Sequence, residues 1–103
     1  MPYQRIVCFR FTSAATPEQT QAHMDSFAAL RDAVPGITEY RAGHVMPEGT
    51  APRYDSLHYL IFEREEEIQR YSNHPAHQQF IQQNRSIWED VLVLNAPIED
   101  TVG

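Results

Sequence analysis

Apolar side chains stand on both faces of the opening run, residues 3–12, Tyr-Gln-Arg-Ile-Val-Cys-Phe-Arg-Phe-Thr. Its β-branched and aromatic content predicts a strand. One face carries Arg5, Val7, Phe9 and Phe11, the other Ile6, Cys8 and Arg10. Both faces are mostly apolar, so the strand is expected to be covered on both sides. The periodicity then changes. Thr16 suits an N-cap, Pro17 the first helical position, and Gln19 completes a Thr-x-x-Gln capping box. The apolar positions His23, Phe27, Leu30 and Val34 recur at helical spacing, and Pro35-Gly36 stops the helix.

Residues 37–45 predict a second strand, and Met46 to Arg53 a loop with two prolines and a glycine. In the third strand, residues 54–63, Ser56, His58, Leu60 and Phe62 share one side and Leu57, Tyr59 and Ile61 the other. Glu65-Glu66-Glu67 opens the next helix, where first-turn carboxylates complement the helix dipole and are expected to be solvated. That helix breaks at Asn73-His74-Pro75 and resumes from Pro75 to about Ile87. A short last strand, Val91 to Leu94, precedes a polar tail from Asn95.

The order β-α-β-β-α-β predicts an α+β, ferredoxin-like fold: a four-stranded antiparallel sheet with the helices on one face. A chain of 103 residues is expected to form a single domain, with a core over about 3–95 and a polar tail over 96–103. The uncovered face would present Ile6, Cys8, Leu57, Tyr59 and Ile61, an apolar area that normally marks an interaction surface. A homodimer with sheets packed face to face, a dimeric α/β barrel, is the expected partner arrangement.

Eight Lys+Arg against fourteen Asp+Glu leave a net charge of −6, which opposes nucleic-acid phosphates and anionic membrane surfaces. No apolar run approaches the roughly 18 residues of a membrane span. The N-terminus has no secretory h-region, so a cytoplasmic location is expected. The lone Cys8 has no internal disulfide partner and reads as an inert buried hydrophobe. No motif calls for a cofactor.

The segment Tyr71-Ser72-Asn73-His74-Pro75-Ala76-His77-Gln78-Gln79-Phe80, followed by Trp88-Glu89-Asp90-Val91-Leu92-Val93-Leu94, resembles the Dabb family, the stress-responsive dimeric α/β-barrel proteins. The run Ile6 to Phe11, the helix ending Val34-Pro35-Gly36-Ile37 and Tyr54-Asp55 before strand 3 fit the same pattern in the same order, over about residues 3–95. The resemblance implies the dimeric barrel. Some members are plant stress proteins that form large assemblies. One enzymatic branch, a plant polyketide cyclase, closes a linear poly-β-keto thioester by aldol condensation. That branch's tyrosine and second motif histidine correspond to Tyr71 and His77, its pocket tryptophan to Trp88 and its helix-1 aromatic to Phe27. There are departures too. Arg5 stands where the family often carries a histidine, and Ser56 where the cyclase has another. His23 and His58 occupy positions that are apolar in the cyclase.

Chemically, a histidine with a pKa near 6.5 suits removal of an activated α-proton, and a phenol suits donation to the developing enolate oxygen. His77 as base and Tyr71 as oxyanion partner is therefore one reading; packing at a helix start is the other. They converge only if the two helix pieces angle together. His74 before Pro75 reads as a cap. Arg5, Val7, Phe9, His23, Phe27, His58, Phe80 and Trp88 are the candidate pocket residues, with Arg5 suited to clamp a carboxylate or thioester carbonyl. His23, His58 and His77 would make a three-nitrogen metal set if they met in one cavity, although they lack ligand spacing. An enzyme of cyclase type, a non-catalytic small-molecule or metal binder, and a stress-related oligomer are the three function classes left open.

Overall fold

A computed structural model describes residues 1–49 and 53–99. Strand β1 (Tyr3–Phe11) leads to helix α1 (Pro17–Ala33), strands β2 (Ile37–His44) and β3 (Ser56–Phe62), helices α2 (Glu65–Asn73) and α3 (Pro75–Asn84), a single 3-10 turn (Arg85–Ile87) and strand β4 (Trp88–Pro97). The four strands form one antiparallel sheet in the order β2-β3-β1-β4. This is the split βαβ arrangement expected from the element order.

The α1 start is built as its residues predict. Thr16 Oγ1 accepts from Gln19 N at 3.1 Å and Gln19 Oε1 accepts from Thr16 N at 2.9 Å. Past the helix end, Gly36 adopts φ +100°, a conformation that side chains other than glycine rarely take. A Cβ there would also run into the Glu67 carboxylate. Glu67 corrects the expectation of a solvated acidic run. It is 6% exposed and takes Arg70 Nη1 at 2.8 Å and Arg64 Nη2 at 3.6 Å, so two guanidinium groups pin it under the Gly36 turn.

Alternation sorts β3 cleanly: Ser56, His58, Leu60 and Phe62 are buried, whereas Leu57 is 40% exposed. The buried set packs with Val7 and Phe9 of β1 against Phe27, Leu30, Val34, Tyr71 and Phe80 from the helices. On the opposite face the register sets Cys8 between Leu57 and Leu92, and Ile6 between Tyr59 and Leu94. Leu94 is 54% exposed, whereas Cys8, in the centre, is buried.

Strand β4 exceeds the expected Val91–Leu94 at both ends. Asn95, Ala96 and Pro97 pair with Arg5, Gln4 and Tyr3, so the polar residues assigned to a tail continue the ladder. β1 begins at Tyr3 and its main-chain groups there need partners, whatever the polarity of the opposing side chains. Pro97 is tolerated because β4 is an edge strand. α3 stops at Asn84, earlier than Ile87, with Asn84 Nδ2 turned back onto Phe80 O at 3.0 Å. Residues 50–52 of the expected loop and 100–103 of the expected tail lie outside the described residues. Among those described, no helix is long and apolar enough to cross a membrane.

Candidate functional site

The break between α2 and α3 positions the chemistry. His74 caps α3, accepting from Ala76 N through Nδ1 at 3.1 Å, and Pro75 occupies the first position. The two short helices then angle together, and the Tyr71 and His77 rings approach to 4.4 Å between centroids. His77 Nδ1 lies 3.2 Å from the Ser72 carbonyl. A carbonyl only accepts, so this nitrogen carries the proton and Nε2 keeps the lone pair.

Beside this pair is a cavity of about 130 Å³. Arg5, Val7 and Phe9 of β1 and Phe27 of α1 form its floor, and Tyr71, His77, Phe80 and Ile81 its helical side. Trp88, Val91 and Val93 of β4 complete it; the two valines, 38% and 42% exposed, face solvent. The walls are largely apolar with few polar groups, the usual make-up of a small-molecule site. A wider groove of about 440 Å³ lies between Phe11, Thr12, Thr20, His44 and Asp55. It is shallow and polar, and Asp55 Oδ2 there already accepts from Phe11 N at 2.8 Å. The smaller cavity is the better candidate because, unlike that groove, it is bordered by buried groups with shifted acidities.

Burial pushes the Tyr71 phenol well above its ordinary value, although the Arg5 guanidinium opposes that shift. Arg5 stands over the Tyr71 ring, with Cζ 5.5 Å from the centroid, within cation–π range. Desolvation lowers His77, the Ser72 hydrogen bond acts against it, and Arg5 lowers it further. At neutral pH the site therefore holds a neutral imidazole, a neutral phenol and a guanidinium. Tyr71 Oη, Arg5 Nε and Trp88 Nε1 are buried without a hydrogen-bond partner among the described residues.

Six of the eight expected pocket residues line this cavity: Arg5, Val7, Phe9, Phe27, Phe80 and Trp88. His23 and His58 do not. His58 stacks on Phe27 at 4.0 Å and His23 meets Phe9 edge-on at 4.5 Å, so the two phenylalanines wall both histidines off. His58 Nδ1 is 2.8 Å from Tyr40 Oη and Nε2 is 3.2 Å from Ser56 Oγ. The hydroxyls donate or accept as required, so either tautomer is satisfied. His23 has both ring nitrogens buried with no partner among the described residues, and behaves as one more ring among Phe9, Phe11 and Phe80. Desolvation lowers His23 to about 4 and His58 to about 3, with His23 and His44 nearby adding to the latter.

The metal set is corrected on the same grounds. His23 and His58 come within 5.9 Å, but His77 packs on Tyr71 instead and both His58 nitrogens are engaged. Among the described residues no group of three His, Cys, Asp or Glu is placed to hold a metal ion. Ile81, Val91 and Val93 were missed as lining residues. The two valines follow from register, because Val91 pairs with Phe9 and Val93 with Val7.

Comparison with known proteins bears on the fold and the family. The chain is 26% identical over 96 residues to olivetolic acid cyclase from Cannabis sativa, covering 92% of this chain and 95% of that protein. Among solved structures, hydroxynitrile lyase from Passiflora edulis superposes with a TM-score of 0.87 at 18% identity, over 99% of this chain and 97% of the other. A dimeric ferredoxin-like protein of unknown function from Thermobifida fusca gives 0.83 at 21%, over 95% and 92%. The family model described as the stress responsive A/B barrel domain matches residues 4–97. With nearly its whole length matched, this chain belongs to the stress-responsive A/B barrel (Dabb) family.

Proposed function

We propose that the Tyr71–His77 cavity carries out acid–base chemistry on a small carbonyl compound, of the aldol, polyketide-cyclase type. One observation carries the reading: a neutral histidine, held by Ser72 with its Nε2 lone pair free, packs with 4.4 Å between ring centroids on a buried tyrosine at the wall of a ligand-sized cavity. His77 Nε2 takes the α-proton and Tyr71 Oη donates to the enolate oxygen. The enolate carbon attacks a second carbonyl of the same molecule, forming the carbon–carbon bond. The new alkoxide takes the proton back from the imidazolium, and His77 is neutral again. A cyclase and a lyase among the relatives support a catalytic use of this scaffold.

The test is single-turnover assay of poly-β-keto thioesters and β-diketones with wild type, His77→Ala and Tyr71→Phe. Loss of about 100-fold or more on removing His77 is expected, with the fold intact. Bound ligand without turnover in any variant would leave the non-catalytic binder reading, which the same cavity supports. Because desolvation lowers His77, activity should hold through neutrality and fall in acid below the ordinary histidine value, as the base becomes protonated.

The chain is further proposed to act as a homodimer through the open sheet face. Leu57 and Leu94 are exposed there beside Ile6 and Tyr59, and several solved relatives are described as dimeric. Sedimentation should give twice the chain mass, and Leu94→Arg should give a monomer. A wild-type monomer at micromolar concentration would sink this assignment.

A further inference from the structure

Arg5 is a cation in a site with no anion. It borders the cavity, its Nε is buried without a partner, and no carboxylate lies within salt-bridge distance of it among the described residues. The other described ion pairs occupy Arg10, Arg41, Arg53, Arg64 and Arg70. Arg5 has instead a neutral acceptor, Asn95 Oδ1, 3.1 Å from Nη1, and the face of Tyr71. A guanidinium offers five N–H donors, and burying its charge without a counter-charge is costly.

Tyr71 Oη and Trp88 Nε1, on two other lining residues, are likewise buried polar groups without a partner. The indole nitrogen only donates, and the phenol is held protonated by burial. The lining of the cavity is thus rich in donors and poor in acceptors. The cavity as a whole, with Phe9, Phe27 and Phe80 among its walls, has about the volume that accommodates one six-membered ring.

We propose that the cavity selects a small organic monocarboxylate, its carboxylate on the Arg5 guanidinium and its ring or short chain among the phenylalanines. The inference names the substrate class of the site proposed above, and it rests on that cavity being the ligand site. Arg5 is then a specificity-determining residue. The anion supplies the charge that the fold withholds, and a planar guanidinium receives a carboxylate through two parallel hydrogen bonds. Asn95 keeps Arg5 oriented without neutralising it.

The experiment titrates the 103-residue chain with benzoate and with its neutral isostere benzamide, by calorimetry and by NMR of the Trp88 indole proton. Benzoate is expected to bind at least 10-fold more tightly. Arg5→Gln should remove that preference. Asn95→Asp, at an exposed position, should remove it with the fold unperturbed, because the new carboxylate pairs with Arg5 from within. Equal affinity for the two probes, no benzoate binding, or undiminished preference in Asn95→Asp would each overturn the proposal. Neither measurement involves turnover. A chain that binds benzoate through Arg5 yet converts nothing loses the acid–base reading alone; one that converts neutral ketones and ignores benzoate loses this one alone.

Discussion

Two histidine neighbourhoods share the inner face of one sheet, and their ring nitrogens have opposite freedoms. Around His58 everything is closed: Tyr40 and Ser56 take both nitrogens, Phe27 stacks on the ring, and His23 is sealed among phenylalanines. Around His77 one nitrogen is tied to Ser72, the other keeps its lone pair, and a cavity adjoins the ring. The difference teaches that burial alone does not mark a working histidine. His58 is the more deeply shifted of the two, yet its shift reflects how thoroughly it is packed. What distinguishes His77 is a lone pair left unused beside a space that a substrate can occupy.

Exchanging the two histidines' fates is the sharpest way to break this comparison. His77→Ala should lower turnover by about 100-fold or more and barely move the urea midpoint. His58→Ala should do the reverse. It leaves Tyr40 Oη and Ser56 Oγ unpartnered around a new void, at a cost of about 2–5 kcal/mol. Activity per folded molecule should stay near that of wild type. Equal activity losses in the two variants would erase the distinction.

Acid should act on the closed neighbourhood next. His23 and His58 are held neutral at about 4 and about 3, below the ordinary 6.5 of an unfolded chain. Between those limits the unfolded state binds more protons than the folded one, so stability is full above pH 6.5 and falls as pH drops towards 4. Chemical denaturation at pH 7, 6 and 5 should show proton uptake by these two rings on unfolding that rises from well under one at pH 7 towards about two at pH 5; a flat profile would mean that the two rings are not buried neutral. The smallest expected effect is that of His23→Phe. Both His23 nitrogens already lack partners, so an apolar ring should change stability at pH 7 by within about 1 kcal/mol. It should also remove one of the two protons from the acid response.

Local signals read directly from residues account for much of the fold. Thr16, Pro17 and Gln19 start α1 through contacts of three residues, and Pro75 after His74 starts α3 in the same way. Alternation in β3 separates His58 and Leu60 from Leu57 because a strand has a period of two. Signals that depend on a remote partner were not legible in advance. Glu67 looks like a solvated first-turn carboxylate until Gly36 and two arginines close over it. Asn95 to Pro97 look like a tail until the start of β1 supplies their ladder.

The site divides along the same line. The resemblance to the family singles out Tyr71, His77, Phe27 and Trp88, and the inward face of the first strand adds Arg5. Sequence likewise determined the element order, and through it the sheet with one open face. Only the tertiary structure decided which histidine keeps a free nitrogen. His23 and His58 also face the interior, and whether such a ring meets a cavity or a phenylalanine depends on how Phe9 and Phe27 settle between sheet and helices. Packing of that kind is a many-body outcome, fixed by the shapes of side chains far apart in the chain and written at no single position.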